Sequence, residues 1–248
     1  MRVIEGTERR QILQRLLPAM PEPGVQAGFH LAASDVGVAY GTPRGACAVV
    51  ACGPAAYVFG KPRADLLGKL AKAGCRPAAL VGAVSSIDVR PAAPRDGSAT
   101  PMLRHVLVAG PVDQLVDVPA GFVWRRLEAD DVPELYPAGM TWLFNLYESP
   151  TDAEFAWVAV RPGKSHVQMC VAGISTSSDY VEIGVASDQS ARSPGDLALS
   201  VRATMRTAVL GAGKLPTAVI GAENARALAA NRRWDWEIVG EDWMLSLA

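Results

Sequence analysis

Residues 181–201, VEIGVASDQSARSPGDLALSV, constrain the chain more than any other stretch. An alternating apolar segment runs through ten polar or small residues into a stretch where Leu197, Val201, Met205 and Ala208 fall three or four apart. The first pattern has the period of a strand; the second has that of a helix with one buried face. A strand feeding a helix across so short a segment has to be covered by that helix, which makes this region a layered α/β structure. Arg202 and Arg206 fall off the apolar stripe, and Gly211 and Gly213 end it.

The same alternation of element types extends along the chain. Residues 7–17 read as a helix with Thr7 as cap and Pro18 as stop. GVAYG, ACAVVACG and AAYVFG, within 37–60, each end in Gly and read as strands. RADLLGKLAKAG (63–74) reads as an amphipathic helix, PAALVGAV (77–84) and LRHVLVAG (103–110) as strands, and the Pro-rich 88–101 between them as a loop. After a connector at 111–121 the pattern restarts: a strand at 122–128, one or two short helices at 130–148 broken by Pro137, and strands at 155–163, 166–176 and 180–187. The helix from 195, a strand at 215–222, a helix at 224–233 and two closing strands at 236–248 complete it. The chain is therefore read as two related α/β units, residues 1–118 and 119–248, the second complete.

Bulk properties exclude several function classes. The 248 residues carry a net charge of −1, which gives no general field for nucleic acid or an anionic membrane. The charge is uneven: residues 1–118 hold 13 Lys/Arg against 9 Asp/Glu, and residues 119–248 hold 11 against 16. An acidic second half suits a cationic or amine substrate. The four cysteines (Cys47, Cys52, Cys75, Cys170) have no CxxC spacing and the three histidines are scattered, so neither a metal site nor a disulfide framework is expected. The N-terminal MRVIEGTERRQ lacks the apolar core of a signal peptide and no apolar run reaches membrane length; a cytoplasmic, reducing setting is expected. There is no GxSxG elbow around a nucleophile, and GAGKLP (211–216) follows a helix, the wrong order for a P-loop.

The strand EIGVAS, the segment Arg192-Ser193-Pro194-Gly195-Asp196-Leu197, the helix behind it and Asn224 directly after TAVIGA form a recognisable set. Together they resemble the GNAT acyltransferase superfamily, in element order over about residues 122–248. The resemblance implies a fold of two such units, each a mixed, mostly antiparallel sheet flanked by helices. It further implies acetyl-CoA or another short acyl-CoA as co-substrate, no metal, and transfer of the acyl group to the amine of a small molecule. In that family the Arg/Gln-x-x-Gly-x-Gly/Ala loop binds the pyrophosphate through backbone N–H groups at a helix N-terminus.

By this resemblance Arg192, Ser193, Gly195, Asp196 and Leu197 fall at the pyrophosphate loop, Val185 and Ala186 at the pantetheine arm, and Asn224 at the start of the next helix. Glu182 is the base that takes a proton from the attacking amine. Asn231 occupies the place of a tyrosine that protonates the leaving thiolate in many relatives, and an amide has no such proton to give. Trp142, Tyr147 and Glu148 fall on one wall of the acceptor site, where aromatic rings and a carboxylate suit an amine. Leu197 stands where the family has Gly or Ala, and its bulk would crowd a phosphate. Ser193, Pro194 and Asp196 also read as a self-sufficient helix cap. Two alternatives follow from these departures: a non-catalytic binding or scaffold protein whose first half offers a homodimer or partner surface, and a repurposed fold doing other acyl chemistry. The first half has only Gly60-Lys61-Pro62-Arg63 at the equivalent turn, so one ligand per chain is expected.

Overall fold

Apolar segments of four to six residues cannot bury a face alone, and here they solve the problem by pairing into one sheet. The computed structural model describes residues 1–94, 96, 98–109, 117–188, 195–232 and 235–247, without the side chains of residues 195, 196 and 199. The strands are β1 (Arg2–Val3), β2 (Val38–Gly41), β3 (Cys47–Cys52), β4 (Ala55–Gly60), β5 (Ala79–Gly82), β6 (Ala99–Ala109), β7 (Val123–Arg126), β8 (Ala156–Val160), β9 (Val167–Thr176), β10 (Tyr180–Ser187), β11 (Leu215–Gly221) and β12 (Trp236–Leu247). They form a twelve-stranded sheet in the order β1-β2-β3-β4-β5-β12-β6-β11-β10-β9-β8-β7. Among the described residues only β4–β5 and β10–β11 pair in parallel, so the expected mixed, mostly antiparallel sheet flanked by helices is observed.

The order reads nearly alike from both ends. Strands β1–β5 form one flank and β7–β11 the other, while β6 and β12 lie in the middle with their neighbours exchanged. β6 lies against β11, antiparallel from Thr217↔Val108 to Gly221↔Arg104; β12 lies against β5 at Met244–Ser246. The two central strands pair with each other from Trp236↔Ala109 to Leu247↔Ala99, with a register shift between Ile238 and Gly240. Each half thus completes its sheet with the final strand of the other.

Helices α1 (Gly6–Leu16), α2 (Ala27–Ala33), α3 (Leu66–Lys72), α4 (Val132–Leu135), α5 (Gly195–Gly211) and α6 (Ala225–Arg232) flank the sheet. On α5, Leu197, Val201, Met205 and Val209 are buried against Leu107, Met169, Val171 and Val181. Each large side chain removed from water in this way contributes about 1.5–3 kcal/mol. Ala208, expected on that stripe, is only partly buried, and Val209 takes its place.

Several expectations change. Glu5, in extended conformation, occupies the cap position of α1, so Thr7 lies inside the first turn; Pro18 follows the helix end as expected. The two closing strands are one strand, β12, because a bulge at Val239, between Ile238↔Leu107 and Gly240↔Val106, lets the strand continue without a turn. The loop expected over 88–101 contains a 3-10 turn at Arg90–Ala92 and gives way to β6 at Ala99. Helix α2, with no periodicity long enough to announce it, is held by the burial of Ala27, Gly28, Leu31 and Ala32.

Candidate functional site

Parallel neighbours β10 and β11 share only three register pairs, Tyr180↔Leu215, Val181↔Pro216 and Glu182↔Thr217. Beyond Glu182 they diverge. On the opposite side of β10, the register with β9 shifts between Glu182 and Ile183, so that Ile174 is the extra residue. A bulge at that point re-aims the side chains on either side of it. The divergence opens a cleft of about 480 Å³ lined by residues 182–185 of β10 and 218–221 of β11, with α5 and α6 on one side. Tyr57 of β4, Ala79 and Val81 of β5 and Met244 of β12 also line it, so both halves wall the cleft.

At the closed end lies Glu182, 8 % exposed, whose Oε2 accepts a hydrogen bond of 2.8 Å from the Ser175 hydroxyl. Ser175 in turn accepts one from the Gln26 N–H at 3.2 Å. The segment before α2 is pinned across this end, because the Thr217 hydroxyl donates to the Gly24 carbonyl at 3.2 Å. Only glycine fits there: its φ is +112°, and a Cβ would lie 2.1 Å from the Ser85 Oγ. Burial pushes the Glu182 carboxyl well above the usual carboxylate range, opposed by the Ser175 hydrogen bond and by the charge of Arg104. Arg104 of β6 forms an ion pair with Asp242, its direct cross-strand partner on β12. Asp242 is fully buried and its carboxyl is likewise pushed up by desolvation. Tyr57 feels the Glu182 charge too, and burial raises its phenol strongly. Two carboxyl groups thus face one guanidinium, a net acidic environment.

The other end lies between α5 and α6. Asn231, 2 % exposed, donates its Nδ2 to the Ala227 carbonyl at 2.7 Å, which turns Oδ1 toward Arg202. Arg202 Nη1 donates to that oxygen at 3.1 Å. Desolvation lowers the pKa of this guanidinium. Asn224 caps α6, its Oδ1 accepting from the Ala227 N–H at 3.1 Å, and it too lines the cleft.

The structure brings Glu182, Val185, Asn224, Asn231 and Trp142 together around one space. Trp142 is 45 % exposed rather than packed in the core, and it stands between this cleft and a second cavity of about 610 Å³ beside Val185 and Ala186. Tyr147 and Glu148 do not line the cleft. The Tyr147 hydroxyl donates to the Gly173 carbonyl at 2.6 Å, burial pushes its pKa up to about 12, and Glu148 is exposed. Leu197 is fully buried in the core, so its bulk is turned toward the sheet. Arg192 and Ser193 lie outside the described residues, as do the side chains of Gly195 and Asp196; α5 itself begins at Gly195.

Sequence reasoning did not find Tyr57, Arg104, Ser175, Asp242 or Arg202 as site residues. One signal was available. Arg104 and Asp242 are charges near the middle of two long strands, and a charge buried there needs a partner. In the first half, β4 and β5 stay paired from Ala55↔Ala79 to Val58↔Gly82, and α3 has seven residues. No helix among the described residues is long and apolar enough to cross a membrane, and no group of three or more His, Cys, Asp or Glu there is placed to hold a metal ion.

Comparison with solved structures gives full-length matches. A GCN5-related N-acetyltransferase-like protein from Streptococcus suis aligns at 18 % identity over 97 % of this chain and 99 % of its own, with a TM-score of 0.69. A tandem GNAT protein from the clavulanic acid biosynthesis pathway aligns at 13 % identity over 98 % and 96 %, with a TM-score of 0.60. A GNAT-family acetyltransferase from Colwellia psychrerythraea aligns at 12 % over 98 % and 97 %, with a TM-score of 0.58. No protein-family model and no curated protein matches the sequence. At these identities the likeness establishes the fold, which is that of the GNAT acetyltransferases.

Proposed function

From a chain with the GNAT fold, we propose an acyl-CoA-dependent N-acyltransferase that moves an acetyl or other short acyl group from coenzyme A to the amine of a small molecule. The observation that carries this reading is the divergence of β10 from β11 at Glu182, which puts a buried carboxylate of raised basicity at the closed end of the cleft.

Residues Val185 and Ala186, on the part of β10 that has left β11 while still paired with β9, offer main-chain groups to the pantetheine arm. The backbone of 192–197 would take the pyrophosphate. Ile183, Ala218, Ile220 and Trp236 give the cleft its apolar lining. Glu182 accepts the proton that the amine loses as it attacks, and the Ser175 hydroxyl fixes which carboxylate oxygen faces away. Excess carboxylate around Arg104 favours an amine over an anionic acceptor. With both reactants held in the cleft, positioning supplies much of the acceleration. The first half walls the acceptor end and binds no donor of its own.

Titration calorimetry with acetyl-CoA tests the reading: one equivalent binding per chain supports it, and two equivalents refute the assignment of the first half. The absence of both heat and a thermal shift at millimolar ligand refutes the donor. A panel of amines followed by thiol release then identifies the acceptor.

A further inference from the structure

Three arginines wholly or partly withdrawn from water, Arg9, Arg104 and Arg125, are met by carbonyls or a carboxylate, and Arg202 is met differently. Arg9 donates to the carbonyls of Asp35, Val36 and Gly37, at 3.0, 2.5 and 2.9 Å. Arg125 makes a two-pronged pair with Asp131 at 2.6 and 2.7 Å, and Arg104 pairs with Asp242. Among the described residues Arg202 has no carboxylate partner, and the hydrogen bond it makes there is to the neutral amide of Asn231. It nonetheless lines the cleft. A guanidinium withdrawn from water without a counter-charge is costly, and the cost is recovered when an anion occupies the space in front of it. Arg9 has a ring of carbonyls and Arg104 and Arg125 each have an acid, whereas Arg202 has the cleft in front of it.

We propose that Arg202, held in place by Asn231, is the group that stabilises the sulfur anion released when the thioester breaks. This rests on the acyltransferase reading above. The amine nitrogen forms the new C–N bond and the C–S bond breaks, its electron pair leaving on sulfur. The amine's proton passes to Glu182, Arg202 keeps its own protons throughout, and the thiolate takes up a proton once it departs. Arg202 acts as a fixed positive charge and not as an acid, which accounts for an amide at position 231. Asn231 is then a positioning residue: its Nδ2 is committed to Ala227, so its Oδ1 is left to orient the guanidinium. The cleft is consequently divided, with the proton acceptor at the Glu182 end and the cation at the α5–α6 end.

The test compares coenzyme A with its desulfo analogue, both by calorimetry across a pH series, on the intact wild-type chain and on Arg202→Met and Asn231→Asp. The second variant keeps the site's size and sets a carboxylate against the guanidinium, and thermal melts report the fold of both. If Arg202 holds the thiolate, coenzyme A binds the wild type about tenfold or more tightly at about pH 8 than at about pH 6, while the desulfo analogue shows no such trend. Bound coenzyme A shows thiolate absorbance below its free pKa. Both variants lose the trend and the absorbance, keep their affinity for the desulfo analogue, and lose on the order of 10²-fold in kcat with little change in KM. Equal weakening of both ligands by Arg202→Met at every pH, or a pH trend that survives either variant, overturns the assignment while leaving the acyltransferase reading intact. A wild type that binds neither ligand overturns both.

Discussion

Glu182 must serve two opposed demands, and the conflict makes it measurable. As a base it needs the carboxylate form, whereas burial favours the neutral acid. Because its folded-state pKa is raised, the neutral carboxyl contributes stability that is fully present below the unfolded carboxylate pKa and is lost as pH rises through the folded value. Glu182→Gln should therefore be as stable as the wild type in acid and more stable at neutral pH, read by thermal unfolding across pH. Its activity should fall by about 10²–10⁴-fold. In the wild type, kcat/KM should climb to a plateau with an apparent pKa above the ordinary carboxylate range, and that climb should vanish in Glu182→Gln. The ion pair gives the contrary case. Asp242→Ala leaves Arg104 buried without its partner and should cost about 3–5 kcal/mol in denaturant melts. Glu182 was named through the resemblance to the GNAT superfamily, and the structure places it on the cleft wall. Tyr57 and Arg104 were not named, because nothing local says that β4 and β6 reach a cleft made by β10 and β11.

Among the elements, those with a strong local period were readable: α5, β9, β10 and β11 stand close to where apolar spacing puts them. Elements decided by tertiary contact were not. Helix α2 has seven residues, too few for a periodic signal, yet the segment entering it closes one end of the site through Gly24 and Gln26. Its geometry has little slack. Gly24→Ala combines a positive φ with a Cβ placed against Ser85 and Val106, and should destabilise the chain by about 2–4 kcal/mol in urea melts. The same change should depress turnover, because the Gln26 N–H moves with the segment and no longer holds the Ser175 hydroxyl that orients Glu182. The unity of β12 was hidden because its bulge at Val239 is carried within one continuous strand only once β6 is beside it.

For the whole molecule, the exchange of β6 and β12 means that neither half owns a complete sheet. Residues 1–118 alone should expose the edges of β5 and β6 and aggregate, and residues 119–248 alone should lack the strand that separates β11 from β12. Co-expressed as two chains, they should reassemble, and the intact chain should unfold in a single calorimetric transition. Two independent transitions would refute this. The division into two units, 1–118 and 119–248, was read from element patterns that repeat locally; the sequence carries no such pattern for pairing across the units. It was silent on the exchange because a strand's partner is set by the shape of the assembled sheet.

Strand order also fixes a schedule. β12 is made after every other strand, yet it lies at the centre of the sheet, between β5 and β6. A domain whose first half is complete when it leaves the ribosome begins to fold there, at about 5–20 residues per second of synthesis. This chain has no such intermediate stop: β5 waits with an open edge while more than half of the protein is still being translated. Codon changes that slow translation between β6 and β12 lengthen that exposure, and they should lower the soluble yield without altering a single residue of the finished protein.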